Sequence, residues 1–301
     1  MDINGRSIAL KRFFVLLPIL LVLIAGIAFY TFKYHPEKID YMKPTVVVSI
    51  VPQETFVKAI GRDLINVVTM VPTGSSPESY APSHRQMEEF SRASVYFCIG
   101  VPSEQTNILH RAHEINHNIK IVNIADEVAN IYPYREFEPG VLDPHVWLSP
   151  KRVKAMIDVI QRELSLLDAA NDAVYQKNAQ EYKDNLDKLD NEIRYILSGN
   201  RNNTFIVYHP SLGYFADDYC INMLSLEKEG KEATPKEIQS IADSAKSMGI
   251  HTIFYQAEAD SRQAETFARE IGGNAEMIAP LSADYIENLK SIAMAIAKAL
   301  K

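Results

Sequence analysis

Residues 204–226 read TFIVYHPSLGYFADDYCINMLSL, and this stretch decides the fold. TFIVYH is rich in β-branched and aromatic side chains and stops at Pro210. A short helical segment near 211–218 follows, and the chain then returns to an apolar run, INMLSL. Strand, helix and strand in that order predict a parallel pair with a crossover. Working outward, the same pattern recurs in both directions. TVVVSI (45–50), NVVTMV (66–71), SVYFCI (94–99) and IKIVNI (119–124) form one set of strands; TFIVYH, INMLSL, HTIFYQ (251–256) and AEMIAP (275–280) form another. Helical patterns near 234–248, 261–271 and 283–300 complete the second set. The expectation is an α/β chain of two lobes, each a mainly parallel sheet flanked by helices.

A spine joins the two sets. Ser149 caps a helix with Pro150 in its first turn, and a break near Leu167–Asn171 precedes a second helix running to about Leu197. Tyr182, Leu186, Leu189, Ile193 and Leu197 recur at spacings of three or four, one apolar stripe beneath a charged face. Gly199, Asn200, Asn202 and Asn203 end it. Thr234, Pro235 and Glu237 mark another helix start of the capping-box type. The expected division is 44–170 for the first lobe, 171–200 for the linking helix and 201–301 for the second lobe.

Residues 1–43 have a separate role. Lys11 and Arg12 precede an uncharged run from Phe13 to Phe32, long enough to cross a bilayer as a helix. Segment 11–33 therefore reads as an export signal or an N-terminal membrane anchor. The basic flank keeps the start cytoplasmic and places everything after Lys33 in the periplasm or at the outer face of the cell membrane. Gly26 and Ala28 offer a cleavage site, the length favours retention, and both alternatives stand. No cysteine lies near residue 28 to carry a lipid. Cys98 and Cys220 are expected as buried thiols, since a disulfide between them would have to link the lobes.

With 301 residues, 47% hydrophobic, the chain can fill two modest cores. A net charge of −7 and the lack of a basic, aromatic-interleaved patch argue against nucleic acid or an anionic membrane surface as partner. A small cation suits that sign, though solubility alone also favours it.

In sheets of this kind ligands bind beyond the carboxyl ends of the strands. Four such places carry ligand-type side chains. The loop after NVVTMV holds Glu78 and His84, DPHVWLSP (143–150) holds His145, TFIVYH ends on His209, and the residues after HTIFYQ include Glu258 and Asp260. Taken singly, each has an ordinary explanation: a satisfied core histidine, a solvated loop carboxylate, or, for Asp260, the cap of helix 261–271. Their coincidence at four strand ends points to a cation between the lobes. His110, His113 and His117 lie at helical spacing and read as a solvated face rather than an auxiliary metal patch.

Five motifs extend this reading: VPTGSSPESYAPSHRQM (71–87), LDPHVWLSPK (142–151), FIVYHPSLGYFADDY (205–219), LEKEGKEATPKEI (226–238) and IFYQAEADSRQAETFAREIG (253–272). In order and spacing they resemble the zinc- and manganese-binding solute-binding proteins of ABC transporters, of TroA-like fold and zinc-uptake type, from about Thr45 to the C-terminus. The resemblance implies one divalent ion in the inter-lobe cleft of a monomer that serves an ABC permease. Carried over position by position, the metal ligands fall on Glu78, His145, His209 and Asp260. Glu78 stands where relatives usually carry histidine, so a carboxylate replaces an imidazole there unless His84 reaches back. Zn(II) is the implied ion, with Mn(II) or Fe(II) as alternatives. Two imidazoles and two carboxylates suit all three, and the lack of thiolate or thioether argues against Cu(I). The stretch before the second ligand, NIYPYREFEPGVL (130–142), has no histidine, whereas zinc members often carry a His-rich loop there. The acidic residues of LEKEGKEA (226–233) are given a structural or permease-docking role.

The chain is therefore expected not to be an enzyme. A zinc-dependent hydrolase with Glu258 as general base is the rival from another class, but no HExxH, phosphate loop or nucleophile elbow is present. An adhesin or anchored structural protein stabilised by metal is a third reading.

Overall fold

A computed structural model describes residues 42–199, 202–228 and 231–301, with side chains omitted at 228, 231 and 232. The apolar run 13–32 lies outside the described residues. Among those described, no helix is long and apolar enough to cross a membrane.

The first sheet contains β1 (Thr45–Ile50), β2 (Asn66–Val71), β3 (Val95–Cys98) and β4 (Lys120–Asn123) in the order β2-β1-β3-β4. Every pair is parallel. β1 is buried along its whole length, as a central strand covered by helices must be. The chain passes from β1 directly into α1 (Val51–Gly61). Gln53 makes that turn possible: its side-chain oxygen accepts the backbone N–H groups of Ser49 (3.0 Å) and Ile50 (3.2 Å), while its amide donates to Phe97 O (3.1 Å). One residue thus serves the first orphan donors of the turn and ties it to β3. α2 (His84–Phe90) follows β2, α3 (Pro102–Asn107) follows β3, a single turn α4 (Ala112–Ile115) leads into β4, and α5 (Ile124–Ala129) follows it.

The second sheet repeats the construction with β7 (Thr204–Val207), β8 (Asn222–Ser225), β11 (Thr252–Gln256) and β12 (Asn274–Ile278), all parallel in the order β12-β11-β7-β8. α8 (Gly213–Asp218), α9 (Pro235–Met248), α10 (Ser261–Glu270) and α11 (Tyr285–Ala299) flank it. Thr234 and Glu237 form the expected capping box. All eight strands of the sequence reading are present within one or two residues of their expected ends. Two antiparallel hairpins were not foreseen: β5 (Glu136–Glu138) with β6 (Val141–Leu142), and β9 (Glu227–Lys228) with β10 (Lys231–Glu232). At two or three residues each, they are too short for periodicity to register.

Between the sheets run α6 (Pro150–Leu167) and α7 (Asp172–Leu197). Ser149 caps α6 by accepting the Arg152 N–H (3.3 Å). The apolar stripe of α7 is buried at Leu186, Leu189, Ile193 and Leu197, as its spacing predicts, while Tyr182 packs at the edge. One continuous core includes Val48 and Phe97 of the first sheet, Ile157 and Leu189 of the spine, and Phe205 and Phe254 of the second sheet. Asp218 of α8 reinforces this core: its carboxylate takes Arg152 (2.7 Å), Lys151 (2.5 Å) and the Ser149 hydroxyl.

The cysteines differ from expectation. Both are free and Cys98 is buried, but Cys220 is exposed. It ends the turn after α8 in the left-handed region (φ 56°), so the chain reverses there and Ile221 takes the inward position.

Candidate metal site

His145 sits in the segment between β6 and α6 and is 4% exposed. Asp143, fully buried, accepts from the His145 backbone N–H (2.9 Å) and from its Nδ1 (2.8 Å) through the same Oδ1. An ionised carboxylate can only accept, so the proton is on Nδ1 and the Nε2 lone pair is free. The other Asp143 oxygen faces Arg135 Nη1 (3.3 Å), and the Asp143 carbonyl accepts from the Tyr214 hydroxyl (3.0 Å). The imidazole lies against Trp147, ring centres 5.1 Å apart, and the indole N–H is fixed by Pro280 O (3.0 Å). The proline and tryptophan that flank the histidine in DPHVW therefore leave its ring little freedom.

His209 follows β7 and is stiffened by Pro210. Its Nδ1 donates to Glu227 Oε2 (2.7 Å), which again leaves Nε2 as the free acceptor. The register explains the partner. β7 and β8 pair Val207 with Ser225, so two residues further on His209 faces Glu227.

Glu78 comes from the loop between β2 and α2. Gln86 holds that loop by donating to Thr69 O (2.8 Å) and Met70 O (2.9 Å), and Ser103 N–H donates to Pro77 O (3.0 Å). Glu78 Oε1 lies 3.8 Å from His209 Nε2. The two Nε2 atoms of His145 and His209 are 3.3 Å apart, and the ligand atoms of all three residues lie within 4.8 Å of one another. Two lone pairs facing each other at that distance repel unless a cation or a proton lies between them. A tetrahedral ion with Zn–N bonds of ~2.0–2.1 Å would set its nitrogens about 3.3–3.4 Å apart. The two imidazole nitrogens therefore already stand at the edge length of a zinc tetrahedron, with the Glu78 oxygen somewhat further out.

These groups line a cleft of about 540 Å³ together with Trp147, Glu227 and Glu258. Burial pushes the Glu258 carboxyl above its ordinary value, and its Oε2 is buried with no hydrogen-bond partner. Asp260 does not join the cluster. It caps α10 by accepting the Arg262 N–H (3.0 Å) and grips the Arg262 guanidinium, which holds its carboxyl down at about 2. In this structure it takes the local capping role, one of the two open readings. His84 opens α2 on the surface and is outside the cluster, so it does not reach back to replace Glu78. His110, His113 and His117 are exposed and form no such group among the described residues. Sequence reasoning missed Asp143 and Glu227, the carboxylates that orient the two imidazoles. The signal was available for Glu227, because strands TFIVYH and INMLSL laid side by side bring it opposite His209.

Two lobes, a rigid spine and a cleft of imidazole and carboxylate donors define the class of solute-binding proteins of ABC transporters with TroA-like fold. The chain belongs to the family described as zinc-uptake complex component A, periplasmic, whose match covers residues 46–299. It is similar to the zinc-binding protein AdcA of Streptococcus pyogenes serotype M6, 33% identical over 260 residues, 79% of this chain and 50% of AdcA. It is also similar to the iron ABC transporter substrate-binding lipoprotein MtsA of Streptococcus pyogenes serotype M1, 27% identical over 78% of both chains. A crystal structure of ZnuA superposes with a TM-score of 0.81 at 35% identity, covering 86% of this chain and all of that one.

Proposed function

We propose that this protein is an extracytoplasmic receptor that captures one divalent cation, zinc first, through Glu78, His145 and His209 and delivers it to an ABC permease. The observation that carries this reading is the pair of Nε2 atoms 3.3 Å apart, each freed for coordination by a carboxylate on its own Nδ1. Two imidazoles favour zinc over harder ions; the carboxylate at position 78 keeps Mn(II) and Fe(II) within reach. The zinc-binding name of AdcA and the iron-related name of MtsA support a divalent cargo and leave the same choice of ion. On this reading residues 44–170 and 201–301 are the two lobes, 171–200 links them, and segment 11–33 exports or anchors a monomer.

The protein binds without turnover. A hydrolase needs an open coordination position and a general base over a substrate. Glu258 would be that base, so hydrolysis of a generic ester or peptide by the zinc-loaded protein would favour the enzyme instead.

Metal analysis of the purified region from residue 42 onward, then competitive titration of Zn(II) against Mn(II), tests site and selectivity. His145→Ala and His209→Ala should each lower affinity at least a hundredfold. Parent-like binding by either variant would refute the site.

A further inference from the structure

The hairpin β5–β6 leads into His145, with Arg135 just before it and Asp143 just after it, and both residues rest on the start of α8. The Tyr214 hydroxyl accepts the Arg135 backbone N–H (3.0 Å) and donates to Asp143 O (3.0 Å), while the Asp143 N–H donates to Arg135 O (2.9 Å). The Arg135 guanidinium crosses the first residue of the helix: Nη1 reaches Asp143 Oδ2 (3.3 Å) and Nε reaches Asp217 Oδ2 (3.2 Å). Gly213 makes that passage possible. A Cβ on this residue would lie 2.6 Å from Arg135 Nε and Cζ and 2.7 Å from Nη1. Its φ is outside the left-handed region, so the glycine answers to space and not to backbone conformation. Alanine suits a helix better than glycine does, so a buried glycine opening α8 trades stability for room. Gly213 also lies only four residues after His209, on a turn where Ser211 N–H donates to His209 O (2.8 Å). The guanidinium therefore stands between the backbone that carries one imidazole and the carboxylate that orients the other.

We propose that Arg135, seated on Gly213, is the positioning residue that sets the two imidazoles at their spacing for one ion. This rests on the metal site proposed above and specifies what fixes its nitrogen pair. By holding Oδ2, Arg135 stops the Asp143 carboxylate from turning and leaves Oδ1 to the two N–H groups of His145. By lying against Gly213, it refers that carboxylate to the segment of His209. A lysine would keep the charge but not the planar fork that serves Asp143 and Asp217 together.

The test is Zn(II) affinity in a double-mutant cycle. Arg135→Ala and Gly213→Ala should each weaken binding by about tenfold, the usual effect of losing a partner behind a metal ligand, and Arg135→Lys should lose less. Gly213→Ala should add nothing once Arg135→Ala is present, because the new methyl then has no guanidinium to displace. In a His145→Ala background, Arg135→Ala should change the residual affinity less than twofold, since a spacing between two imidazoles no longer exists. If Arg135→Ala does not fold, Gly213→Ala with and without His145→Ala makes the same comparison. Parent-like binding by Arg135→Ala or by Gly213→Ala, while His145→Ala and His209→Ala lose the ion, would overturn this inference alone. The same loss with and without His145 would make the ion pair a part of the fold only and also overturn it. Parent-like binding by His145→Ala or His209→Ala would instead remove the underlying site.

Discussion

Asp143→Asn is the most informative single change, because it alters one proton and almost no volume. In the parent, Oδ1 of Asp143 takes both the backbone N–H and the Nδ1–H of His145, and Oδ2 faces Arg135. Asparagine has only one oxygen. If it faces His145, the amide NH2 meets the Arg135 guanidinium, donor against donor at a fully buried position. If it faces Arg135, the NH2 is turned to Nδ1, the proton moves to Nε2, and the lone pair that binds the metal is lost. Metal binding must then hold the variant in the first arrangement against the pull of the guanidinium. Partners of this kind change metal affinity by ~10–100-fold, or about 1.4–2.8 kcal/mol. The assay is Zn(II) competition against a chromophoric chelator at neutral pH, with Glu227→Gln as the matching change at His209. Affinity within twofold of the parent for Asp143→Asn would refute the claim that this carboxylate sets the tautomer.

Other outcomes follow from the same geometry. Glu104 is 1% exposed and accepts from Ile99 N–H (2.8 Å) and Gly100 N–H (2.7 Å), yet burial pushes its carboxyl up to about 7. The native state thus binds this proton more tightly than the unfolded chain does. Its contribution is greatest below the unfolded value near ~4.5 and is lost as pH rises through about 7, by up to ~3 kcal/mol. Urea midpoints of the metal-free protein from pH 5 to 8 should fall more steeply for the parent than for Glu104→Gln; parallel curves would contradict this. Asp260→Ala should leave Zn(II) affinity within twofold and only loosen the start of α10, since its partner is Arg262; a large loss of binding would restore it as a ligand. Chelation should leave far-ultraviolet circular dichroism unchanged, because none of the three donors belongs to the continuous apolar core, and readdition at a hundred times Kd should stabilise by ~2.7 kcal/mol. Unfolding on chelation would favour the structural-metal reading.

The eight parallel strands and the spine were legible because they write themselves locally, as short apolar runs, buried along their whole length in β1, β3 and β7, and as a three-four stripe. His145 and His209 were legible for a related reason: a proline beside each marks an imprisoned ring. At Asp260 two readings stayed open, since a cap and a ligand look identical in one dimension and only the direction of the side chain separates them. Asp143 and Glu227 escaped because their chemistry lies in a bond to another residue's Nδ1, the ring nitrogen that does not face the cleft. For Glu227 that bond depends on strand register, which is a property of two segments at once.

The way the three donors are attached bears on release. The His145 segment is gripped from the second sheet's side: Trp147 bonds to Pro280 and Tyr285, Asp143 to Tyr214, and Ser149 and Arg152 to Asp218. Arg135 adds a link to Asp217 (3.2 Å). These bonds tie His145, which lies in the 44–170 segment, to the side that carries His209. The Glu78 loop instead hangs on β2 through Gln86 and on α3 through Ser103, and Asn107 donates to Tyr80 O (3.1 Å). On the function proposed above, a movement of the first sheet against that side would leave the nitrogen pair intact and withdraw the carboxylate. Coordination bonds tolerate only about 0.2 Å of misfit, so a displacement of roughly an ångström at Glu78 would strip one ligand without unfolding anything. On the function proposed above, a permease that drew the two sides apart would thus meet an ion held by the two imidazoles alone. Release on that reading would require no chemistry on the histidines, only distance at Glu78.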